Sequence, residues 1–351
     1  MTARTLLVYG AYGFTGRLLL ENLRERRIAF IAAGRDEQRV ADVAAEFAAP
    51  SRVFALEDEV ASDHALRGVD VALNAAGPFV STTAPFLRSC LRSGVHYLDV
   101  SGEVGPLEHA ANLDWEARAK GVMILPGVGF DVVPSDCLAL HLAKRLPRAQ
   151  KLVLSISGLN LLSRGSARAF AEHAGIPVYV RKSGALEPML FRTQLRWVDF
   201  GLGARPVVAV SWGDLVTAFR STRIPNIEVY FEATAARYAA IGMNQYFGWM
   251  MGSMWVRSWL RSYSDSLPEG PSPQQRANEG AVIVGEAFDG RQRVRARLAT
   301  PEAYTFTGIA AAAVAERVLG GAIKPGFQTP AALLGADLVL SMPGVSRVDL
   351  S

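Results

Sequence analysis

The sequence predicts an α/β protein: an N-terminal, doubly wound parallel sheet followed by a second α+β domain with a mixed or antiparallel sheet. Short apolar segments alternate with amphipathic ones from residue 5 to residue 125, which is typical of βαβ units. Beyond Pro134 the strand-like runs become longer, and several alternate with polar residues as antiparallel strands do. A length of 351 residues suits two domains, each with its own core.

Six apolar segments in the first part of the chain are predicted to be strands, and four amphipathic segments between them helices. Because crossovers between parallel strands are right-handed, these units predict a sheet covered by helices on both faces. We expect this domain to span residues 1–134. The predicted strands are Thr5–Tyr9, Ile28–Ala33, Ser51–Ala55, Val69–Asn74, Tyr97–Val100 and Gly121–Leu125, and the helices are Thr15–Arg27, Asp36–Phe47, Ala84–Ser93 and Gly105–Lys120.

The second part of the chain carries signals of a different kind. Asp289-Gly290 separates two alternating runs, and this dipeptide supplies the positive φ of a hairpin turn. We expect a substrate and dimerisation domain over residues 135–300, in a homo-oligomer, and helices over residues 301–351 that pack back on the first domain. The predicted elements are the helix Pro134–Arg145, the strands Lys151–Gly158, Met189–Phe200, Pro206–Trp212, Asn226–Ala233, Ala281–Phe288 and Arg291–Ala299, and the helices Glu302–Leu319 and Thr329–Ser341.

The composition narrows the class of protein. A formal net charge of +4 is small for this size, so we expect no nucleic acid as a partner, although an anionic cofactor or substrate fits. Cys90 and Cys137 form no CxxC pair and the five histidines show no metal-binding spacing, so we predict no metal and a reducing compartment. The chain runs from Met1 directly into a strand-like segment, which predicts a cytoplasmic protein.

The segment 241–259 is rich in Met, Trp and Phe, but it is interrupted by glycines and by Asn244 and Gln245. A membrane-spanning helix needs about 20 mostly apolar residues, so this segment is a poor span. We expect a buried or interface helix. The alternatives are a helix on a membrane surface, which is not favoured, and the lining of a pocket for an apolar substrate.

A glycine-rich loop joins the first predicted strand to the first helix. Glycines there allow a tight turn and a close approach of the backbone to a pyrophosphate, which the helix N-terminus attracts. GxxGxxG in this position predicts a Rossmann-type dinucleotide site, the alternative being a plain strand-to-helix turn. The residues assigned to it are Gly10, Ala11, Tyr12, Gly13, Phe14, Thr15 and Gly16.

The end of the second predicted strand distinguishes the two nicotinamide dinucleotides. An acidic residue there would bind the free ribose hydroxyl of NAD, but this strand ends in Gly34-Arg35. A guanidinium matches a phosphate in geometry and charge. We therefore predict NADP(H) as the cofactor, while a solvated Arg35 before the next helix is the alternative.

A third cofactor segment follows the fourth predicted strand. Small residues at the carboxyl end of a parallel strand line the crevice where ligands bind in open α/β sheets. We expect this segment and two residues after the fifth strand to surround the nicotinamide half of the cofactor, although a plain strand-to-helix turn is the alternative. The residues are Asn74, Ala75, Ala76, Gly77, Pro78, Phe79, Ser101 and Gly102.

These motifs together resemble the saccharopine dehydrogenase-like superfamily of NADP-binding oxidoreductases, and most of all its trans-acting enoyl reductase type. The resemblance implies an NADP-binding Rossmann domain, a mixed α/β substrate domain inserted before the last helices, and hydride transfer to a carbon–nitrogen or carbon–carbon double bond. Its motifs are Gly10–Gly16, Ala33–Arg35, Asn74–Phe79, His96–Glu103, Gly127–Pro134, Trp212–Asp214, Ser221–Pro225 and Thr300–Tyr304.

Three carboxyl groups are the candidates for catalysis. A hydride acceptor needs its developing charge neutralised by a proton donor or a hydrogen bond. The fifth strand brings Asp99 and Glu103 towards the expected crevice, and the following loop, Gly127–Pro134, brings Asp131 there. Each has a structural alternative, as an internal hydrogen-bond acceptor or at a helix start. No Tyr-x-x-x-Lys or GxSxG motif competes with them.

The cofactor motifs predict an NADP(H)-dependent reductase of a small, apolar substrate, and the resemblance implies that the reduced bond is C=C or C=N. The alternative is an NADPH-binding sensor or scaffold protein without turnover. Apolar and aromatic residues of the second domain are expected to line the substrate pocket, although aromatic residues fill ordinary cores as well. They are Trp197, Trp212, Tyr230, Phe231, Tyr246, Phe247, Trp249 and Trp255.

Overall fold

The computed structural model describes residues 4–172, 176–189, 195–201, 203–234, 239, 242–243, 247, 249–250 and 253–350. The chain divides into two compact units. The first unit is Met1–Val133 with Tyr304–Met342, and the second is Pro134–Ala303 with Pro343–Ser351. The predicted fold class is confirmed, because the first unit holds a parallel sheet between helices and the second a mixed sheet.

Seven parallel strands form the sheet of the first unit, in the spatial order β15, β6, β5, β4, β1, β2, β3. These strands are β1 (Leu6–Tyr9), β2 (Phe30–Gly34), β3 (Ser51–Val53), β4 (Val71–Asn74), β5 (His96–Asp99), β6 (Met123–Leu125) and β15 (Gly326–Phe327). The helices of this unit are α1 (Phe14–Glu25), α2 (Glu37–Phe47), α3 (Glu59–Ala65), α4 (Phe79–Ser93), α5 (Val104–Asn112), α6 (Asp114–Ala119), α12 (Ala303–Leu319) and α13 (Pro330–Leu334).

Strand β1 lies at the centre of this sheet, between β2 and β4. Its last residue, Tyr9, is in register with Ala33 on one side and with Asn74 on the other. The chain builds one half of the sheet from β1 outwards and then returns to start the other half at β4. Ligands of open α/β sheets bind at the carboxyl ends of strands where the order reverses in this way. The carboxyl ends of β1 and β4 therefore mark the expected crevice.

The strands at this centre are apolar throughout because both faces of the sheet are covered. Leu6, Leu7 and Val8 of β1 have no exposed surface, and neither have Val71 and Leu73 of β4. This explains why the segments read as continuous apolar runs, as buried parallel strands do. The polar exceptions, Asn74 and Asp99, come at the last positions of β4 and β5 and are buried as well.

The second unit contains a nine-stranded mixed sheet. Strands β7 and β12 at its centre run parallel, and the other paired neighbours are antiparallel. The strands are β7 (Lys151–Ser157), β8 (Tyr179–Lys182), β9 (Ala185–Pro188), β10 (Leu195–Asp199), β11 (Ala204–Ala209), β12 (Asn226–Glu232), β13 (Gly280–Phe288), β14 (Arg293–Pro301) and β16 (Ser346–Leu350). The helices are α7 (Val133–Arg145), α8 (Arg164–Glu172), α9 (Asp214–Thr222), α10 (Met254–Ser266) and α11 (Pro273–Ala277).

The chain end differs from the expectation of C-terminal helices over residues 301–351. Helix α12 forms as expected, but Ser346–Leu350 is a strand that pairs with β14 and belongs to the second unit. This edge strand is short and mostly polar, so no run of apolar residues in the sequence indicates it. Asp349 on it is bonded to His141 and Arg145 of α7, at 2.7 and 2.8 Å, and these contacts fix the strand to its unit.

The segment 241–259 is expected to form a buried or interface helix. Residues 241, 244–246, 248 and 251–252 lie outside the described part, but helix α10 begins at Met254. There Trp255 is 84% exposed. Within the described part of this segment the buried alternative is therefore wrong, while an interface helix stays a prediction. Among the described helices, none combines the length and the apolar composition needed to cross a bilayer.

Candidate functional site

The glycine-rich loop follows β1, at the centre of the first sheet. Gly10 adopts a φ of +82°, and its N–H donates to Ala33 on the neighbouring strand at 2.9 Å. A Cβ atom on Gly10 would lie 2.8 Å from the backbone nitrogen of Ala76, and one on Gly16 would lie 3.0 Å from the carbonyl oxygen of Ala11. The backbones therefore approach each other more closely than any side chain allows. The glycines build a tight cradle at the end of β1.

Helix α1 begins immediately after this loop, at Phe14. Its N-cap is Gly13, which offers no side-chain hydrogen bond, and no acidic residue lies in its first turn. The first N–H groups of a helix carry a partial positive charge and have no acceptor within the helix. A helix start of this kind accommodates a pyrophosphate, so the cradle and the helix together fit the dinucleotide that the sequence predicts.

Arg35 lies just past the end of β2, and α2, which follows it, carries a second arginine that sequence reasoning missed. Arg39, in the first turn of α2, places its guanidinium 4.5 Å from the centre of the Tyr12 ring. The Tyr12 ring lies against Gly34, where a Cβ would be 3.1 Å from a ring carbon. Asp36 caps α2 by accepting the N–H of Arg39 at 3.0 Å. The Arg39 guanidinium and the Tyr12 ring thus meet next to Gly34, the residue before Arg35.

The segment after β4 lies against the glycine loop. Asn74 is buried, and its amide donates to Thr82 at 3.2 Å and accepts the N–H of Ala76 at 3.0 Å. The N–H of Ala75 donates to Tyr9 at 2.8 Å. These bonds hold a turn of small residues beside Gly10, and the role of this turn on the nicotinamide side of the crevice stays a prediction.

Asp99 is buried at the end of β5, and both of its carboxyl oxygens are engaged. Oδ1 accepts the N–H groups of Ser101 and Gly127 at 2.9 and 2.8 Å, and Oδ2 accepts the hydroxyl of Tyr97 at 2.9 Å. Burial raises the pKa of Asp99 to about 6, against the lowering effect of these hydrogen bonds. The geometry favours a brace between two loops over a proton donor to substrate.

Glu103 and Asp131 come together next to that brace. Oε1 of Glu103 accepts the N–H of Phe79 at 3.0 Å, which ties it to the segment after β4. Asp131 is partly buried, and its burial together with the negative charge of Glu103 raises its pKa to about 7. Asp131 lies against Gly102, where a Cβ would be 2.7 Å from Oδ2. A carboxyl group that gains and loses its proton near neutral pH is suited to acid–base chemistry.

Helix α12 supports the loop that carries Asp131. The Thr307 hydroxyl accepts the N–H of Phe130 at 3.0 Å, and a Cβ on Gly129 would lie 2.9 Å from the Thr307 methyl group. Thr307 is 177 residues away from that loop in the chain. No local sequence signal identifies such a contact, which is why the sequence analysis did not include it.

The aromatic residues expected to line a substrate pocket are not gathered into one place. Tyr230 and Phe231 are in the core of the second unit, and Trp212 packs edge-on against Phe231 with ring centres 4.7 Å apart. Trp197 is exposed on β10. Phe247, Trp249 and Trp255 are also exposed, and Tyr246 lies outside the described residues. A cleft of about 580 Å³ in this unit includes Tyr230, but charged side chains dominate its walls.

Comparison with known proteins agrees with this geometry. Residues 6–125 match the model of the saccharopine dehydrogenase NADP binding domain. A trans-acting enoyl reductase from Mycobacterium leprae is 30% identical over 182 residues, which cover 48% of this chain and 44% of that protein. The human saccharopine dehydrogenase-like oxidoreductase is 28% identical over 162 residues, covering 40% of this chain and 38% of that protein. The chain therefore spans less than half of either relative's length.

A solved structure shows the fold over the whole chain. The apo saccharopine dehydrogenase (L-Glu forming) from Saccharomyces cerevisiae aligns with 99% of this chain and 100% of its own, with a TM-score of 0.66 and 12% sequence identity. The sequence match covers the part of the chain that contains the cradle at Gly10 and the start of α1. The N-terminal domain, over residues 6–125, belongs to the saccharopine dehydrogenase NADP-binding domain family.

Proposed function

We propose that this protein is an NADPH-dependent reductase that acts on a small, apolar substrate with a C=C or C=N bond. The observation that carries the proposal is the position of the Glu103–Asp131 pair. Glu103 binds the segment after β4 through the N–H of Phe79, and that segment contacts the glycine loop. The acid pair is therefore built into the same group of loops as the dinucleotide cradle.

Three groups of residues would bind the cofactor. The cradle at Gly10–Gly16 and the start of α1 suit its pyrophosphate. Arg35 and Arg39 suit the 2′-phosphate that distinguishes NADP from NAD, because guanidinium groups bind phosphate through paired, charge-assisted hydrogen bonds. The small residues after β4 and β5 suit its nicotinamide half. When bound, the nicotinamide would supply a hydride, which is a proton with two electrons, to one atom of the substrate double bond.

The other atom of that bond needs a proton, and we assign Asp131 as its donor. Burial and the charge of Glu103 keep Asp131 protonated up to a pH of about 7. Asp99 acts differently, as a positioning residue that holds the loops of Ser101 and Gly127 in place. Glu103 raises the proton affinity of Asp131 and connects it to the cofactor segment. The atoms balance: one hydride and one proton add to the double bond.

The test is substrate-dependent oxidation of NADPH by the purified protein. We expect loss of the reduced nicotinamide absorbance with an α,β-unsaturated thioester or ketone or with a cyclic imine, and the class that reacts identifies the bond. Asp131→Asn should lower kcat by roughly 10²- to 10⁴-fold, the usual contribution of a positioned acid, while NADPH affinity is kept. Asp63→Asn, a surface ion-pair partner of Arg92, is the matched control. NADPH binding without oxidation in any class would instead indicate a sensor or scaffold.

A further inference from the structure

The sheet of the second unit curls over one of its own faces. Strand β10 stands four places from β13 in the order of the sheet, and four spacings between neighbouring strands would amount to about 19 Å in a flat sheet. The guanidinium of Arg196 on β10 nevertheless lies 3.6 Å from the carboxylate of Glu286 on β13. Arg297 on β14, one place further, donates to the carbonyl of Phe200, just after β10, at 3.3 Å. This face of the sheet is therefore concave, and β10 lies over it.

Apolar side chains fill part of the concave face and leave a cleft beside them. Val198 and Phe200 form one buried cluster with Tyr230 of β12. Tyr230 also lines the cleft, which has a volume of about 580 Å³. A smaller cleft of about 390 Å³ adjoins it, because Lys151 and Arg196 line both. Volumes of about 300–1,000 Å³ are typical of small-molecule sites, so the larger cleft has room for an organic ligand.

Five charged side chains on the concave face are linked in one chain of ion pairs. Lys151 lies 2.6 Å from Glu228. Arg196 follows at 3.8 Å from Glu228 and 3.6 Å from Glu286, and Glu286 lies 2.9 Å from Arg295. Three cations meet two carboxylates, so one positive charge is not balanced within this chain. The Glu228 and Glu286 side chains are only 19% and 12% exposed, so salt screens these charges weakly. The excess charge attracts an anion.

Arg196 is the member of this chain that has N–H groups to spare. Its distances to Glu228 and Glu286 are longer than those of hydrogen bonds, and a guanidinium has five N–H donors. The guanidinium lies 5.4 Å from the centre of the Tyr230 ring, which holds it in place. The two oxygens of Glu228 bind other groups, Lys151 at 2.6 Å and the Tyr230 hydroxyl at 2.9 Å. Arg196 is therefore held in position with donors that a ligand oxyanion can use.

The hairpin of β8 and β9 supplies an apolar part of the cleft wall. Val180 and Pro188 line the cleft together with Met189, which packs against the buried cluster. Lys182 and Glu187 of the same hairpin pair at 3.7 Å, so they add no net charge. The cleft thus combines an apolar wall with one excess cation. Its complement is an apolar molecule that carries an oxyanion.

We propose that this cleft binds a small organic anion, whose phosphate or carboxylate group is held by Arg196 and Lys151 and whose apolar body lies against the hairpin of β8 and β9. Both anionic groups accept paired, charge-assisted hydrogen bonds from a guanidinium. None of the cleft residues belongs to the cofactor cradle or to the acid pair, which are in the first unit. The proposal therefore goes beyond the reductase activity and does not depend on it.

The test is isothermal titration calorimetry of the full chain with 1-naphthyl phosphate, 1-naphthoate and the uncharged 1-naphthylmethanol. NADPH is present throughout, so that the dinucleotide cradle does not take up the anion. We expect at least one of the two anions to bind with a Kd on the order of 0.1–1 mM, typical of a ligand of this size. The tighter of the two identifies the anionic group. The uncharged compound should bind at least about tenfold more weakly, and added salt should weaken the binding of the anion.

Arg196→Met keeps the length of the side chain and removes its donors, so it should weaken the binding of the anion by about tenfold or more. Arg196→Lys keeps the charge and should recover part of that loss. Lys151→Met should weaken binding by about threefold or more, and it carries the test if Arg196→Met does not fold. Arg205→Met is the matched control, because Arg205 pairs with Glu232 at 2.9 Å on the neighbouring strands β11 and β12 and lines neither cleft.

Circular dichroism of each variant shows whether it is folded. The proposal is overturned if the parent binds neither anion, or if the uncharged compound binds as tightly as the anions. It is also overturned if Arg196→Met binds the anion as the parent does, which would place the bound anion elsewhere on the protein, or if Arg205→Met loses as much affinity as Arg196→Met. A protein that binds no NADPH would contradict the proposed reductase activity but not this site, because the difference between the parent and Arg196→Met would remain.

Discussion

The carboxyl group of Asp131 lies directly against the backbone of Gly102, so closely that a methyl group at position 102 would be 2.7 Å from Oδ2 and 2.8 Å from the carboxyl carbon. Gly102 has no side chain, and this is what gives Asp131 its place beside Glu103. Gly102 and Asp131 are 29 positions apart in the chain. The position of the proposed acid is therefore set by the absence of a side chain on the neighbouring loop.

We expect Gly102→Ala to displace Asp131 and to lower kcat by about tenfold or more, since small misplacements of reacting groups are costly. The added methyl group should also lower the free energy of unfolding by roughly 1–3 kcal/mol, as overpacking does. NADPH affinity should change little. Steady-state kinetics, denaturant unfolding and NADPH titration measure the three quantities.

Gly105→Ala is the control for that substitution. A Cβ on Gly105 meets no neighbouring atom, and the residue lies in the first turn of α5, so alanine should be neutral or stabilise by roughly 0.5–1 kcal/mol. Equal losses of activity in the two variants would contradict the assigned contact.

The rate of reduction should depend on the protonation of Asp131. Because the donor must carry its proton, kcat should be constant at low pH and fall as the pH rises through about 7. Glu103→Gln removes the negative charge that helps to raise the pKa of Asp131, so the fall should move to lower pH while the rate at acidic pH is kept. A Glu103→Gln enzyme that is inactive at every pH would show that Glu103 itself donates the proton.

The same pKa shifts predict how folding stability depends on pH. The pKa of Asp131 and that of Asp99 are both raised above 3.8, to about 7 and about 6, so the folded state holds these protons at pH values where the unfolded state has lost them. Their contribution is most favourable below a pH of about 4 and is lost as the pH rises towards 7.

Two amide variants distinguish the effect of Asp131 on folding stability from that of Asp99. Asp131→Asn should be more stable than the parent at pH 8, on the order of 2 kcal/mol, because the cost of burying its charge is gone. Asp99→Asn should be less stable, by roughly 1–3 kcal/mol, because an amide cannot accept all three hydrogen bonds. Unfolding measured across the pH range tests both, and a loss of stability in Asp131→Asn at pH 8 would count against its assigned environment.

How far the sequence predicts the site depends on whether a feature is local. The cradle at Gly10 could be predicted because a turn between a strand and a helix imposes its φ on one residue, and that requirement is visible in the residue type. The contact of Arg39 with Tyr12 and that of Asp131 with Gly102 join separate parts of the chain. Their partners become neighbours only once the sheet is assembled, so no spacing in the sequence indicates them.

Helix α10 illustrates a different limit. Periodicity predicts that Trp255, Trp259 and Tyr263 share one face, but it does not say which face of the helix is covered. Packing against α8 decides that, and it covers the face of Leu260 and Ser264. The strand Ser346–Leu350 could not be predicted either. It has no run of apolar residues, and its strand conformation comes from pairing with β14.

Arg39 should contribute to NADPH affinity and not to NADH affinity. We expect Arg39→Ala to weaken NADPH binding by about tenfold, the order expected for one charge-assisted contact to a phosphate, and to leave the Kd of NADH unchanged. Arg24→Ala is the matched control, because Arg24 also lies over an aromatic ring, 4.9 Å from the centre of Phe47. Equal weakening of both cofactors by Arg39→Ala would mean that the residue only supports the loop.

The most direct test of the account is a titration of the parent and of Arg35→Asp with NADPH and with NADH. Arg35 lies at the carboxyl end of β2, where a carboxylate would repel the 2′-phosphate and bind the free ribose hydroxyl of NADH. We predict that the parent prefers NADPH by at least about tenfold, one charge-assisted contact, and that Arg35→Asp reverses the preference. The same ratio of the two Kd values in both proteins would contradict the assignment of this site to NADP.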